Sequence, residues 1–177
     1  SPHLASPTLA SDRSQRARVA ILLVSVLMAF VMYLHRLTLG EIIKYDSFQH
    51  ALGATREDLG RVLGAFFFTY ALFQIPAGWM SDRFGGRMML TGYIFVWSLL
   101  TGLTGMVSSI TALFLVRLAC GVAQAGAYPT SSAIVKRWIP LSFRGLSSGM
   151  ISMGGRIGGA TSALLTAWLI AGTDSWR

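Results

Sequence analysis

Long uncharged stretches alternate with short polar ones along the whole chain. A helix needs about 20 apolar residues to cross the roughly 30 Å of bilayer hydrocarbon. Five stretches meet that length, near residues 19–40, 59–81, 88–107, 109–134 and 145–171. Between the third and fourth, Met88 to Val116 carries no charge, and "GMVSSIT" at Gly105–Thr111 supplies the turn that makes them an antiparallel pair. No ten-residue alternation of the kind a membrane barrel strand needs is present. Lipid admits only helices or closed barrels, so the pattern predicts an all-α integral membrane bundle with about five transmembrane helices.

Loop charge orients the bundle, because Lys and Arg collect in short segments that stay cytoplasmic. Arg13, Arg16 and Arg18 precede the first run, Arg83 and Arg87 follow the second, and Lys136, Arg137 and Arg144 follow the fourth. The other side carries Lys44, Arg56, Arg61 and Arg177 mixed with Glu41, Asp46, Glu57 and Asp58. The expected arrangement is a cell-membrane, multi-pass protein with a cytoplasmic basic tail at 1–18 and a bundle at 19–177. The first run is too long for a secretory signal and no A-x-A site follows it. A start at Ser1 and a stop at "GTDSWR" after an odd number of runs lead to the expectation that the chain ends before a sixth helix.

Composition agrees with this picture: 53% hydrophobic, 12% charged and 19 glycines, at a mean hydropathy of +0.57. The net charge of +8 is dispersed between apolar runs rather than gathered into a stripe, which argues against nucleic acid as partner. The lone Cys120 excludes a disulfide framework or a Cys-based metal site. No P-loop or H-E-x-x-H is present, and neither cofactor nor metal is expected.

One polar segment is unusually compact. "GWMSDRFGGRMML", residues 78–90, packs Asp82, Arg83 and Arg87 among three glycines. Gly85 and Gly86 suit a tight turn with positive φ, Gly78 admits a close neighbouring helix, and Asp82 lies near both arginines. The segment resembles the signature loop of the major facilitator superfamily, G-x-x-x-D-R-x-G-R-[RK], between helices two and three. Gly78, Asp82, Arg83, Phe84 and Gly85 match; Gly86 replaces the first basic residue of the closing pair, and Arg87 keeps the second. The resemblance implies a cytoplasmic gate whose charges hold the inner end shut in the outward-facing state.

A second stretch narrows the likeness. "RLACGVAQAGAYPTSSAIVKRWIPLSFRG", residues 117–145, resembles the fourth helix and following loop of the anion:cation symporter branch. "YLHR" at 33–36 and "FFFTYALFQIPAGWMSDRFG" at 67–85 resemble its first two helices, and the likeness runs from Val19 to Arg177. It implies the N-terminal half of a twelve-helix fold, completed by a C-terminal half outside this sequence.

Three arginines fall within apolar runs: Arg36, Arg117 and Arg156. Each costs about 2.5 to 3.5 kcal/mol at a helix centre on insertion scales, which makes it a functional candidate. With the N-terminus inside, Arg117 lies about 12 Å in from the outer end of its helix and Arg36 lies toward the outer end of the first. In folds built from inverted three-helix repeats, helices one and four are equivalent elements flanking the cavity. Two guanidiniums there form a clamp for carboxylate. Arg36 could instead snorkel to the interface. Arg156 lies in "MGGRIGGA", where Gly154 with Gly158 and Gly155 with Gly159 predict close helix packing; it either faces the cavity or pairs with a carbonyl.

The branch usually carries protons on acidic residues, and this sequence departs from it. His35 stands where an Asp commonly precedes the helix-one arginine, and Gln124 stands at a position often held by Glu. Gln binds a substrate hydroxyl but carries no proton, leaving His35 as proton-coupling candidate or as a satisfied interfacial residue. Tyr33 and Tyr70 match family positions lining the substrate cavity, and equally suit packing or interfacial anchoring. Tyr128 and Pro129 mark a helix distortion. The competing reading is an intramembrane serine hydrolase, since "GLSSG" at 145–149 satisfies G-x-S-x-G around Ser147. That elbow needs a strand–turn–helix context, and His3, His35 and His50 all lie outside the last three runs.

The expected function is secondary transport of small organic anions, sugar acids or related carboxylates, by alternating access and with protons as a possible co-substrate. A carrier of another class of substrate, such as nitrate, a phosphate ester or a drug-like molecule, is the alternative. The expected partners are the anion, the bilayer and the C-terminal half.

Overall fold

The computed structural model describes residues 7–173; the first six residues of the expected tail and the last four of the expected bundle lie outside them. Seven helices follow one another: α1 (Pro7–Ile42), α2 (Asp46–Leu52), α3 (Arg56–Phe84), α4 (Gly86–Thr104), α5 (Ile110–Ala125), α6 (Ala127–Trp138) and α7 (Leu141–Thr173). Among the described residues there is no strand.

Among the described residues, three stretches are long and apolar enough to cross a membrane: Ser14–Ile42, Arg56–Phe84 and Ile110–Trp138. The remaining two apolar runs of the sequence are α4 and α7, the latter diluted by glycine and serine. Apolar side chains cover the outside of the bundle, with Ile75 83% exposed and Phe68, Leu164 and Leu27 also bare. An aqueous surface of that kind would drive association, whereas hydrocarbon solvates it without cost.

Helix α1 starts at Pro7, so the described part of the basic segment is helical and continuous with the first apolar run. Helix α2 was not foreseeable from periodicity, being only seven residues of mixed polarity. Its Phe48 and Leu52 are buried against Leu39, Leu59, Val62 and Leu113, closing that end of the bundle. Gly53 stops it in the left-handed region at φ 57°, and Thr55 with Asp58 forms a capping box that starts α3.

The turn between α3 and α4 is a single residue, Gly85, at φ 92°. Gly86, expected to share that conformation, instead begins α4 and lies where a Cβ would meet Thr130 and Ile134 at 3.3 Å. The fourth apolar run is broken at Gly126 into α5 and α6. The Tyr93 ring fills the space a Cβ on Gly126 would need, and Pro129 removes the N–H that would bond the Ala125 carbonyl.

Helix α7 packs along α1, and α3 packs along α5. The interleaved glycines explain the first contact: a Cβ at Gly154 would lie 2.7 Å from the Val26 carbonyl oxygen, and one at Gly158 would strike the Phe30 backbone. Thr38 and Ser162 hydroxyls, 3.0 Å apart, add a polar tie across the same face. The turn after α6 is held by Arg144, which donates from Nε to the Ile139 carbonyl (3.0 Å) and from Nη2 to that of Lys136 (2.6 Å). Helix C-termini leave such carbonyls without partners. Arg144→Ala is expected to cost about 1 kcal/mol and to speed amide exchange at residues 136–141, read by hydrogen exchange with mass spectrometry.

Candidate functional site

Arg36 and Arg117 are both buried, at 7% and 5% exposure. They come from α1 and α5, and the ring of Phe66 on α3 brings them together: their guanidinium carbons stand 5.1 and 4.9 Å from its centroid. Arg117 also donates from Nη2 to the Arg36 carbonyl at 3.4 Å, at the long end of hydrogen bonding. The close α3–α5 approach that permits this rests on Gly121, four residues after Arg117, where a Cβ would collide with Thr69 and the Phe66 carbonyl.

The two arginines are held differently. Arg36 sits in an aromatic cage, 4.4 Å from the Tyr70 centroid and 5.0 Å from that of Tyr33, with Phe66 as third wall. Its Nε and Nη2 both donate to one oxygen, Gln124 Oε1, at 3.2 Å. Tyr128 meets Tyr33 edge-on at 6.3 Å. Arg117 instead lines a cavity of about 160 Å³ with His35, Thr38, Cys120, Gln124, Thr101 and Thr104, which Phe48 of α2 helps to close. Its Nε has no hydrogen-bond partner among the described residues, nor has Nδ1 of His35.

The sequence expectation of two guanidiniums on one chamber wall is therefore modified. Arg117 faces the void, while Arg36 stands behind Gln124, which touches both. The physical reason is aromatic: three rings offer Arg36 cation–π attraction. Neither side chain snorkels to an exposed end.

Arg156 is not brought into this group. The four glycines of its motif take the face toward α1, and helical periodicity leaves Arg156 off that face and exposed. It does not line the cavity holding Arg117 and has no hydrogen-bonded carbonyl among the described residues. Ser147 is buried within the unbroken helix α7, with no strand before it, so no nucleophile elbow forms.

At the opposite end, Gly78 faces Pro129 across van der Waals distance, and the Ser81 and Thr130 hydroxyls hydrogen-bond beside it. Asp82 lines an open cleft of about 600 Å³ with Lys136 and Arg137 of α6. Asp82, Arg83 and Arg87 are exposed, and no ion pair joins them. Arg83 lies 5.5 Å from the Trp79 ring centroid instead. The gate-like charges are thus exposed rather than paired within the turn, with Asp82 and Arg83 side by side at the end of α3 and Arg87 at the start of α4.

Sequence reasoning missed Phe66, Thr38, Cys120 and the threonines of α4. Phe66 could have been found from its spacing to Tyr70, one helical turn apart on the same face. The α4 threonines carry no such signal, because only packing places them on the cavity wall.

A family model described as Major Facilitator Superfamily matches residues 17–177. Among curated proteins, the chain is 32% identical over 162 residues to a probable sulfoacetate transporter of Cupriavidus necator, covering 92% of this chain and 37% of that one. It is 36% identical over 146 residues to a probable galactarate/D-glucarate transporter of Pseudomonas putida, covering 79% and 32%. It is 30% identical over 167 residues to a probable L-galactonate transporter of Escherichia coli K12, covering 94% and 36%. The chain thus spans about a third of the length of these relatives. Among solved structures, a bacterial homologue of the human lysosomal transporter Spinster superposes with a TM-score of 0.74 at 23% identity, over 82% of this chain and 31% of that one, a likeness of fold alone. A match running from the first long helix to the last residue, over an all-helical apolar bundle, has one reading: the chain belongs to the Major Facilitator Superfamily.

Proposed function

We propose that the chain forms part of a secondary carrier that moves small organic anions, sugar acids or related carboxylates, across the cell membrane by alternating access. The observation that carries this is a buried guanidinium with a free Nε on the wall of a void inside an apolar bundle. A fixed positive charge in such surroundings is costly unless an anion replaces its lost hydration. The names of the relatives point the same way, since sulfoacetate, galactarate, glucarate and galactonate are all small organic acids.

Arg117 is the direct ligand, Gln124 and Arg36 the supporting pair, and Tyr33 and Tyr70 the cage that holds Arg36 in place. His35 is assigned to any proton coupling because it shares the cavity wall with Arg117. Arg156 is left out of the site. Basic residues at 16, 18, 83, 87, 136, 137 and 144 support a cytoplasmic N-terminus by the positive-inside bias. In that orientation Gly78, Asp82, Arg83, Gly85 and Arg87 form the inner gate. Their outward-pointing charges suit pairing with a second helical half.

The test uses the native full-length protein, purified in detergent, with thermal unfolding followed against glucarate, galactonate, sulfoacetate, glucose and free arginine. Stabilisation by the acids alone is expected. Stabilisation by glucose to the same degree would refute an anion site.

A further inference from the structure

We infer that this chamber selects anions carrying two negative charges over those carrying one. The inference rests on the carrier reading above and adds a charge count to it. The chain holds seven acidic residues: Asp12, Glu41, Asp46, Glu57, Asp58, Asp82 and Asp174. None lies inside an apolar run. Glu41 pairs with Lys44 and Glu57 with Arg61, Asp58 caps α3, and Asp82 belongs to the cleft at the other end. Between Asp82 and Asp174 there is no acidic residue at all.

The two buried guanidiniums are consequently met only by neutral groups. Arg36 has one amide oxygen, the Met32 sulfur and three rings; Arg117 has one backbone carbonyl, one ring and an unpartnered Nε. Neutral acceptors satisfy hydrogen bonds but leave both charges in place, and the low-dielectric interior screens them weakly. A singly charged ligand leaves one guanidinium uncompensated. A doubly charged one neutralises both.

Geometry permits this. Both guanidinium carbons lie about 5 Å from the same ring centroid, so a short dicarboxylate or sulfocarboxylate falls within the field of both. Gln124 is the pivot, because its Oε1 accepts from Arg36 while the residue lines the void beside Arg117. The amide, being neutral, leaves the Arg36 charge behind it uncompensated. A carboxylate in its place would form an internal ion pair with Arg36 and reduce the chamber to a single free charge.

The experiment compares two six-carbon acids that differ by one carboxylate, glucarate and gluconate, binding to the purified native full-length protein by titration calorimetry at low salt. The wild type is expected to bind glucarate about tenfold or more tightly than gluconate, the value of one charged hydrogen-bonded pair. Gln124→Glu is expected to bring that ratio to near one, by weakening glucarate while sparing gluconate. Arg117→Gln, which removes one charge without adding another, is expected to lower the ratio in the same direction and serves if Gln124→Glu fails to fold.

Equal binding of both acids by the wild type overturns the inference and leaves the anion-carrier reading standing; an acid supplied by another part of the protein would give that result. An unchanged ratio in a folded Gln124→Glu protein overturns it as well. Failure of both acids to bind, together with failure of sulfoacetate and galactonate, removes the carrier reading itself.

Discussion

Arg117→Gln is expected to lower kcat/KM for organic-anion uptake by roughly 10- to 100-fold, the range spanned by the loss of one charge-assisted hydrogen bond. Arg117 is the guanidinium on the cavity wall, and its Nε has no other partner among the described residues. The lysine variant is informative because it keeps the charge. An ammonium on a flexible stem cannot both reach the Arg36 carbonyl and present a planar pair of donors to a carboxylate. Arg117→Lys is therefore expected to recover only a minor part of the loss. Uptake of radiolabelled acid into vesicles carrying the native full-length protein measures both, and uptake unaffected by either substitution would remove Arg117 from the site.

Gly158→Ala is expected to be the most destabilising single methyl in the chain outside the site, at about 1 to 3 kcal/mol as an overpacking change. A Cβ at this position would fall onto the Phe30 carbonyl oxygen and lie 2.9 Å from the Phe30 Cα. Both atoms belong to the α1 backbone and cannot swing aside as a side chain could. The helices must separate, and α1 carries Tyr33, His35 and Arg36 with it. Two comparisons isolate the cause. At Gly159 the added methyl would meet Leu37 Cδ1 at 2.8 Å, a flexible tip, so Gly159→Ala is expected to cost less. At Gly40 nothing lies within 4 Å, and Gly40→Ala is expected to stabilise by about 0.5 to 1 kcal/mol through helix propensity. Thermal unfolding in detergent ranks the three, and a Gly158→Ala midpoint equal to that of Gly40→Ala would contradict the packing argument.

Much of the architecture was written in one dimension because the bilayer imposes a one-dimensional rule. A stretch of about 20 largely uncharged residues has few alternatives to a membrane helix, so the runs within α1, α3 and the α5–α6 pair could be read from hydropathy alone. The glycine spacing around Arg156 likewise announced a close helix contact, since glycine four residues apart serves little else in lipid. Arg36 and Arg117 stood out for the same reason: charge inside an apolar run is costly, and its cost marks it.

The sequence could not determine where those side chains point. Hydropathy has no azimuth, so the sequence leaves Arg156 between facing the cavity and pairing with a carbonyl, whereas in the structure the glycines beside it take the face toward α1. Nor could spacing show that Arg36 is enclosed by three rings from two helices, or that Gln124 from a third helix would bridge it to the void. The break at Gly126 depends on a tyrosine more than thirty positions away. The charges of the α3–α4 turn form a knot in the sequence because they are neighbours in the chain, yet in the structure all three are exposed and no ion pair joins them. The sequence by itself determined which residues are costly to bury, because burial cost is a property of each residue type. Only the tertiary structure decided which of them meet, because meeting depends on helix rotation and on the small residues that let backbones approach.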